Sequence, residues 1–223
     1  DPENSLACIA QAAEYPFMYA AVGIHPEDCL HLADCPDAEI AKIEALVRDP
    51  VQRRNNKIVA IGEIGLDYYW GADRKKKQQD YFEAQMQLAR ELNLPVSLHD
   101  RDAHGDLFEI VLRYPEVRGV VHAFSGSEEM ARELWRRGWY IGFGGVVTFK
   151  NAERVRRVAA SVPLEFLLTE TDCPYMAPVP HRGEINNSLY MCESVNMMAS
   201  LHGVTPAEME EVTERNARTL FEI

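Results

Sequence analysis

The sequence predicts an α/β chain of the TIM (β/α) barrel type, and two observations carry the prediction. Six short runs rich in Val, Ile, Leu and Phe recur along the 223 residues, each followed by a longer segment with helical periodicity. That alternation is the pattern of parallel strands buried on both faces. Polar residues stand at the carboxyl ends of five of the runs, namely His25, Glu63, His99, His122 and Asp172. An open doubly wound sheet gathers ligands where its strand order reverses, so five strands would not all contribute; in a barrel the strand ends share one mouth.

The elements follow in order. The opening DPENS is a helix cap rather than a strand. Strands are predicted at Tyr19–Ile24, Lys57–Gly65, Leu94–His99, Arg118–Phe124, Trp139–Gly145 and Glu165–Asp172. Between them, 73–92 reads as a helix with Phe82, Met86, Leu88 and Ala89 on one side, and Ser127 opens a helix that runs to Arg137 before Gly138 stops it. Thr205-Pro206-Ala207-Glu208 sets a capping box ahead of a terminal helix reaching Leu220. No repeat, low-complexity tract or linker interrupts the chain, so 1–223 reads as a single domain. A closed barrel takes eight units and about 250 residues. Six of the eight strand units are visible, and the expectation is a barrel that is incomplete at its N-terminal side.

Composition narrows the function. With 47% hydrophobic residues the chain is not disordered, and no run approaches the ~20 apolar residues of a membrane span. Twenty-three basic against 35 acidic residues, a net charge of -12, exclude a protein that holds nucleic acid by a broad basic surface. They do not exclude one acting through divalent cations, which invert the charge of a carboxylate-rich site. The five cysteines are scattered and form no CxxC pair, against a disulfide framework or a zinc ribbon and in favour of a reducing cytoplasm.

The strand-end residues suggest a metal site. Glu63 in IVAIGEIGLDYY would be costly to bury without a cation beside it; the competing reading is a carboxylate facing water or an arginine. Asp67 shapes the following loop. His99 ends LPVSLH and His122 ends GVVHAF. Neighbouring strands lie about 4.8 Å apart, so two imidazoles at successive strand ends can share one ion. Asp172 ends FLLTETD and is either a ligand that also orients a water or the cap of the Cys173-Pro174 turn. His25 in VGIHPED binds a phosphate, protonates a leaving group or hydrogen-bonds within the mouth. The Ser125–Ser127 turn and Phe143–Gly145 offer backbone N–H groups to an anion or answer packing needs. Arg182, in the loop after Asp172, suits a phosphate. The clusters 74–77, 136–137 and 156–157 read as solvated helix faces, and His31, His181 and His202 as surface residues.

These residues resemble the TatD-type metal-dependent hydrolases of the amidohydrolase superfamily. The likeness lies in AAVGIHP, IVAIGEIGLDYY, PVSLHDRDA, VVHAFSGS, YIGFGG and LLTETDCPYMAPVP followed by RG, in that order and over nearly the whole chain. It implies a TIM barrel and a cytoplasmic 3′–5′ exonuclease that removes nucleotides from single-stranded DNA ends by metal-activated water. By resemblance Glu63 bridges two divalent ions (Mg, Mn or Zn), His99 and His122 serve one of them, Asp172 lies by the attacking water, and His25 is a further active-site histidine. Ser125 and Arg182 are then phosphate contacts. Family members open with a strand bearing an HxH pair and a second strand, neither of which stands before DPENS here. Where the family reads RGKRNEP, this chain has RGEINNS from Arg182 to Ser188. Two other readings stay open: hydrolysis of another ester, such as an aminoacyl-tRNA or another phosphoester, and a catalytically incomplete barrel with a binding role. The sequence leaves the oligomeric state open, from monomer upward.

Overall fold

The Asp1 carboxylate accepts from the Asn4 N–H and Pro2 takes the first helical position, so the chain enters α1 (Pro2–Glu14) at once. Its last carbonyls are satisfied by Lys57, whose Nζ donates to Ala12, Tyr15 and Pro16. A computed structural model describes residues 1–223, which divide into two units, 1–119 and 120–223. No helix is long and apolar enough to cross a membrane.

In the first unit β1 (Ala20–Val22) pairs in parallel with β2 (Ile58–Asp67), and β2 with β3 (Val96–Arg101). Between β1 and β2 lie α2 (Pro26–Cys29), α3 (Asp37–Val47) and α4 (Pro50–Asn55); α5 (Lys75–Leu92) joins β2 to β3, and α6 (His104–Leu112) follows β3. Ile61, Ile64, Leu66 and Leu98 of the sheet and Phe82 and Met86 of α5 are wholly buried, as the apolar runs require. The predicted face of α5 is correct, with Leu88 and Ala89 also buried, but the helix proper starts at Lys75 after a 3-10 turn over Ala72–Arg74.

Two glutamines share that buried face, seven residues and two helical turns apart. Gln85 accepts from the Ile24 N–H at 2.7 Å and donates to the Ile24 carbonyl at 3.0 Å. Gln78 does the same for Asp67, at 2.7 Å in both directions. Each thus satisfies both backbone groups of one residue, at the end of β2 or just beyond β1. Lys77, expected on a solvated face, is buried and donates to the carbonyls of Leu30 and Leu32.

The strands depart from the predicted runs in an informative way. β2 continues beyond Gly65 to Asp67, so Glu63 lies within the strand rather than at its end. Ile61 pairs with Val96 and Ile64 with Leu98, which leaves β2 one residue longer than β3 across Gly62 and Glu63, a bulge that re-aims the side chain there. Gly65, at φ 139°, passes so close to β3 that a Cβ would stand 2.1 Å from the His99 carbonyl. Conversely β1 stops at Val22, and His25 is the N-cap of α2.

In the second unit β4 (Gly119–Val121), β5 (Tyr140–Phe143) and β6 (Leu167–Thr169) are parallel, with Val121 opposite Ile141 and Ile141 opposite Leu167. α7 (Glu128–Trp135) is capped by Ser127, whose Oγ accepts from the Met130 N–H; it ends before Arg137, and Gly138 turns the chain at φ 82°. α8 (Glu153–Ser161) and α9 (Met191–His202) precede α10 (Pro206–Phe221), which carries the predicted capping box. Leu220 packs with Val120 and Leu168, and the Asn216 amide donates to the carbonyls of Leu164 and Leu167 at 2.8 Å each, fixing the entry to β6. β6 ends at Thr169, so Asp172 lies in the turn beyond it. Arg156 donates to the carbonyls of Val147 and Phe149 rather than standing in solvent, and His202 is partly buried against the Ala159 carbonyl; both correct the surface reading.

Candidate metal centre

Three predicted residues of the first unit come together. His25, Glu63 and His99 each direct a ligand atom into a group whose members all lie within 4.8 Å of one another. Glu63 Oε1 is 2.9 Å from His99 Nδ1 and 3.6 Å from His25 Nε2, and the two imidazoles meet edge to face at 4.6 Å. The bulge in β2 turns Glu63 to this side, β3 supplies His99, and the Gln85 clamp on Ile24 sets the backbone beside His25.

Hydrogen counting separates the roles of the two histidines. His25 Nδ1 accepts from the Glu27 N–H at 3.2 Å, so in this arrangement its hydrogen is on Nε2 and points toward Glu63. His99 lies between two carboxylates, with Nδ1 facing Glu63 and Nε2 at 3.0 Å from Asp67 Oδ2. A neutral imidazole has one hydrogen for two such partners, so one side calls for a second proton or a cation. Asp67 is 0% exposed and Glu63 has 35% of its side chain exposed; the accessible side is the Nδ1–Glu63 side. The Glu63 carboxylate and the His99 Nδ1, with the Asp67 carboxylate behind the ring, form a donor pair that fits a divalent transition ion, and the His25 Nε2 hydrogen stands beside it.

Asp67 is the functional residue that sequence reading assigned too narrowly. It does shape the loop, since Oδ1 accepts from the N–H groups of Tyr69 and Trp70 at 3.0 Å, but Oδ2 also orients His99. Burial pushes its carboxyl up; the hydrogen bonds from His99 and the Trp70 N–H, with the nearby positive charges of His99 and Arg101, outweigh this and hold it below the usual carboxylate range. The signal available in the sequence was a carboxylate two residues past Gly65 at the end of an apolar run. Gln78 and Gln85 were also legible, as polar residues at helical spacing inside an apolar stripe.

In the second unit His122 follows β4, and the Glu170 carboxylate lies beside it: Oε2 is 3.7 Å from His122 Nδ1 while Oε1 accepts from the Ala123 N–H at 2.7 Å. Gly142 makes room for it, since a Cβ there would stand 2.7 Å from Glu170 Oε2. Asp172 is partly buried and its carbonyl accepts from the Tyr175 N–H at 2.7 Å. Ser125 is exposed in the loop after β4, next to the helix-capping Ser127. The Arg182 guanidinium lies 3.9 Å over the Phe149 ring and donates to the Ala177 carbonyl at 3.4 Å. His181, expected at the surface, stacks on Tyr190 at 3.7 Å.

The model of the TatD-related DNase family matches residues 1–222. The chain belongs to the TatD-related DNase family. Its relatives include the uncharacterized metal-dependent hydrolase YabD of Bacillus subtilis, 40% identical over 212 residues, which are 94% of this chain and 80% of that protein. The uncharacterized metal-dependent hydrolase YcfH of Escherichia coli K12 is 45% identical over 168 residues, covering 74% of this chain and 63% of YcfH. The crystal structure of YJJV, a TatD homolog from Escherichia coli K12, superposes with a TM-score of 0.90 at 32% identity, over 100% of this chain and 83% of that one. The fold is therefore the α/β TIM-barrel fold of TatD proteins, and the chain is a member of a metal-dependent hydrolase family.

Proposed function

We propose that this TatD-family chain hydrolyses DNA phosphodiesters from single-stranded ends in the 3′–5′ direction, with two divalent ions drawn from Mg, Mn and Zn. The observation that carries the reading is the His25–Glu63–His99 cluster with Asp67 behind His99. Family membership supports a nucleic-acid substrate. In this reading Glu63, His99, His122 and Asp172 are the metal ligands. His25 is not among them, because its Nδ1 is taken by the Glu27 N–H and its Nε2 is left as a donor. The five cysteines are unpaired, which agrees with action in the reducing cytoplasm.

Divalent ions at such a site polarise phosphoryl oxygens and make water a nucleophile at neutral pH. The chain's own residues then have distinct tasks. Asp67 holds the His99 ring, and Glu63 balances positive charge at the Nδ1 side. His25 donates its Nε2 hydrogen to a phosphate or departing oxygen, and the Asp172 carboxylate accepts a proton from the attacking water. Ser125 and Arg182 contact the phosphate strand.

The test uses purified protein, a single-stranded oligonucleotide labelled at either end, and each metal in turn. Glu63→Gln and Asp172→Asn are expected to lower the rate at least ~100-fold, in line with loss of a ligand or general base, and 5′-labelled substrate is expected to shorten stepwise. Wild-type rates in both variants would overturn the reading. Hydrolysis of an aminoacyl ester in preference to the oligonucleotide would move the substrate to another class.

A further inference from the structure

Two large aromatic side chains stand in solvent directly after β2. Tyr69 is 56% and Trp70 60% exposed, and their rings meet edge to face at 4.8 Å. From β3 the Arg101 guanidinium lies 4.0 Å from the Tyr69 ring centre and 5.9 Å from that of Trp70. Lys75, at the start of α5, places its Nζ 4.3 Å from the ring of Tyr68, and Arg74 beside it is exposed. In a chain of net charge -12 the Arg101 cation thus lies on the exposed π faces, while Lys75 sits over the buried Tyr68 and Arg74 lies 3.6 Å from Asp34 Oδ1.

The loop that carries the rings is held on several sides. The Asp67 carboxylate accepts from the backbone N–H of both Tyr69 and Trp70, Gln78 brackets the Asp67 backbone, and the Gly71 N–H donates to the Asp67 carbonyl at 3.3 Å. A Cβ on Gly71 would stand 2.1 Å from Gln78 Nε2, so the clamp closes only over a glycine. The rings are exposed without their backbone being loose. Their register to the metal cluster is fixed by one carboxylate, since Asp67 binds the loop with Oδ1 and His99 with Oδ2, and by β3, where Arg101 follows His99 by two residues on the same face.

Exposed aromatic rings with a stacked guanidinium on a fixed backbone suit a flat, electron-rich π system attached to an anion. We propose that Tyr69, Trp70 and Arg101 form a stacking platform for an unpaired nucleobase of the substrate strand, with Arg74 and Lys75 meeting its phosphates. This rests on the nucleic-acid reading of the neighbouring site and deepens it. A base inside a duplex has both faces covered, so a platform of this kind selects single strands; every base has a π face, so it does so with little regard to sequence.

The test compares binding of fluorescein-labelled oligo-dT and an abasic strand of equal length to the full chain in EDTA, by anisotropy. Base–aromatic stacking measured elsewhere corresponds to roughly tenfold or more per base. Wild type is therefore expected to bind oligo-dT about tenfold more tightly than the abasic strand. The Tyr69→Ala/Trp70→Ala protein is expected to bind both alike, and Trp70→Phe to keep most of the preference. Circular dichroism confirms that each variant is folded. Equal binding of the two strands by wild type, no binding of either, or a preference that survives the double substitution would overturn the platform. Hydrolysis measured in parallel with metal separates the two readings. Cleavage without base preference removes the platform and leaves the nuclease; base preference without cleavage leaves the platform and removes the nuclease.

Discussion

Asp67→Asn changes one atom and separates the two tasks of this side chain. The amide oxygen can still accept from the Tyr69 and Trp70 N–H groups, now at 3.0 Å from Oδ1, so the loop is kept. The amide nitrogen then takes the place of Oδ2, 3.0 Å from His99 Nε2, and presents a donor where an acceptor stood. His99 answers by moving its hydrogen to Nδ1, the nitrogen that faces Glu63 and would share an ion with it. Loss of an outer carboxylate behind a metal-binding histidine costs about 10–100-fold in affinity, or about 1.4–2.8 kcal/mol. Competition with a chromophoric chelator, titrated with Mn or Zn, measures that shift directly, and thermal melting in EDTA reads the loop separately. The expected result is affinity lowered at least tenfold with a melting temperature near wild type. Asp67→Ala, which strips the partner from both backbone N–H groups as well, is expected to lose a further ~1–3 kcal/mol of stability in EDTA. Affinity within twofold of wild type for Asp67→Asn would refute the assignment of His99 Nδ1 to the metal side.

Further outcomes follow from the same contacts. Gln85→Met keeps the volume but leaves the Ile24 N–H and carbonyl unpaired in a buried place; ~2–6 kcal/mol of stability should go in urea melts, at ~1–3 kcal/mol for each of the two orphaned groups. Gly71→Ala forces a methyl to 2.1 Å from Gln78 Nε2 and should cost ~1–3 kcal/mol by overpacking, with Tyr69 and Trp70 losing order in NMR or hydrogen exchange. Burial holds His202 below the usual imidazole range, although its hydrogen bond with the Ala159 carbonyl pulls the other way. The unfolded chain therefore takes the proton first, so this contribution is present above pH ~6.5 and is lost as pH falls through and below that value. Melting temperatures from pH 8 to 5.5 should fall less steeply for His202→Gln than for wild type.

What could be read from the chain and what could not divide along physical lines. Apolar periodicity located all six strands and the buried face of α5, because burial on both faces leaves an uninterrupted signature. Caps were equally legible at Ser127 and Thr205, since the whole motif lies within four residues. Strand limits were not, for β2 ends where its pairing with β3 ends, at Asp67 opposite Arg101, and no local residue announces that. The same holds for the bulge at Glu63, which is a property of two strands. His25, Glu63 and His99 were each singled out because an apolar run leads into them, and their ligand atoms lie within 4.8 Å of one another, a grouping that depends on three separate stretches of chain. Asp67 was undervalued because the short link to Tyr69 and Trp70 is visible in sequence, while the link to His99 spans two strands. Lys77 and Arg156 were placed in solvent because a basic cluster on a helix has no outward sign of the carbonyls it meets.

The acidic balance of the chain and the proposed polyanionic substrate are reconciled by where the charges lie. In the first unit the carboxylate most buried at the candidate metal cluster, Asp67, is 0% exposed and committed to His99 and two backbone N–H groups, so it is not presented to an approaching strand. Glu63 keeps its accessible side toward the histidines, where a bound cation would offset its charge. Arg101 stands beside the exposed rings of Tyr69 and Trp70, and Arg74 and Lys75 lie at the start of the following helix rather than over a broad face. A protein built this way does not collect DNA by its overall field, which would repel it. In the proposed reading it would hold a strand through few phosphates and through base stacking, and stacking is indifferent to the counterions that weaken phosphate contacts. On that proposal the arrangement would favour an exposed end, where a single unpaired base is enough to be held, over the continuous backbone of a duplex.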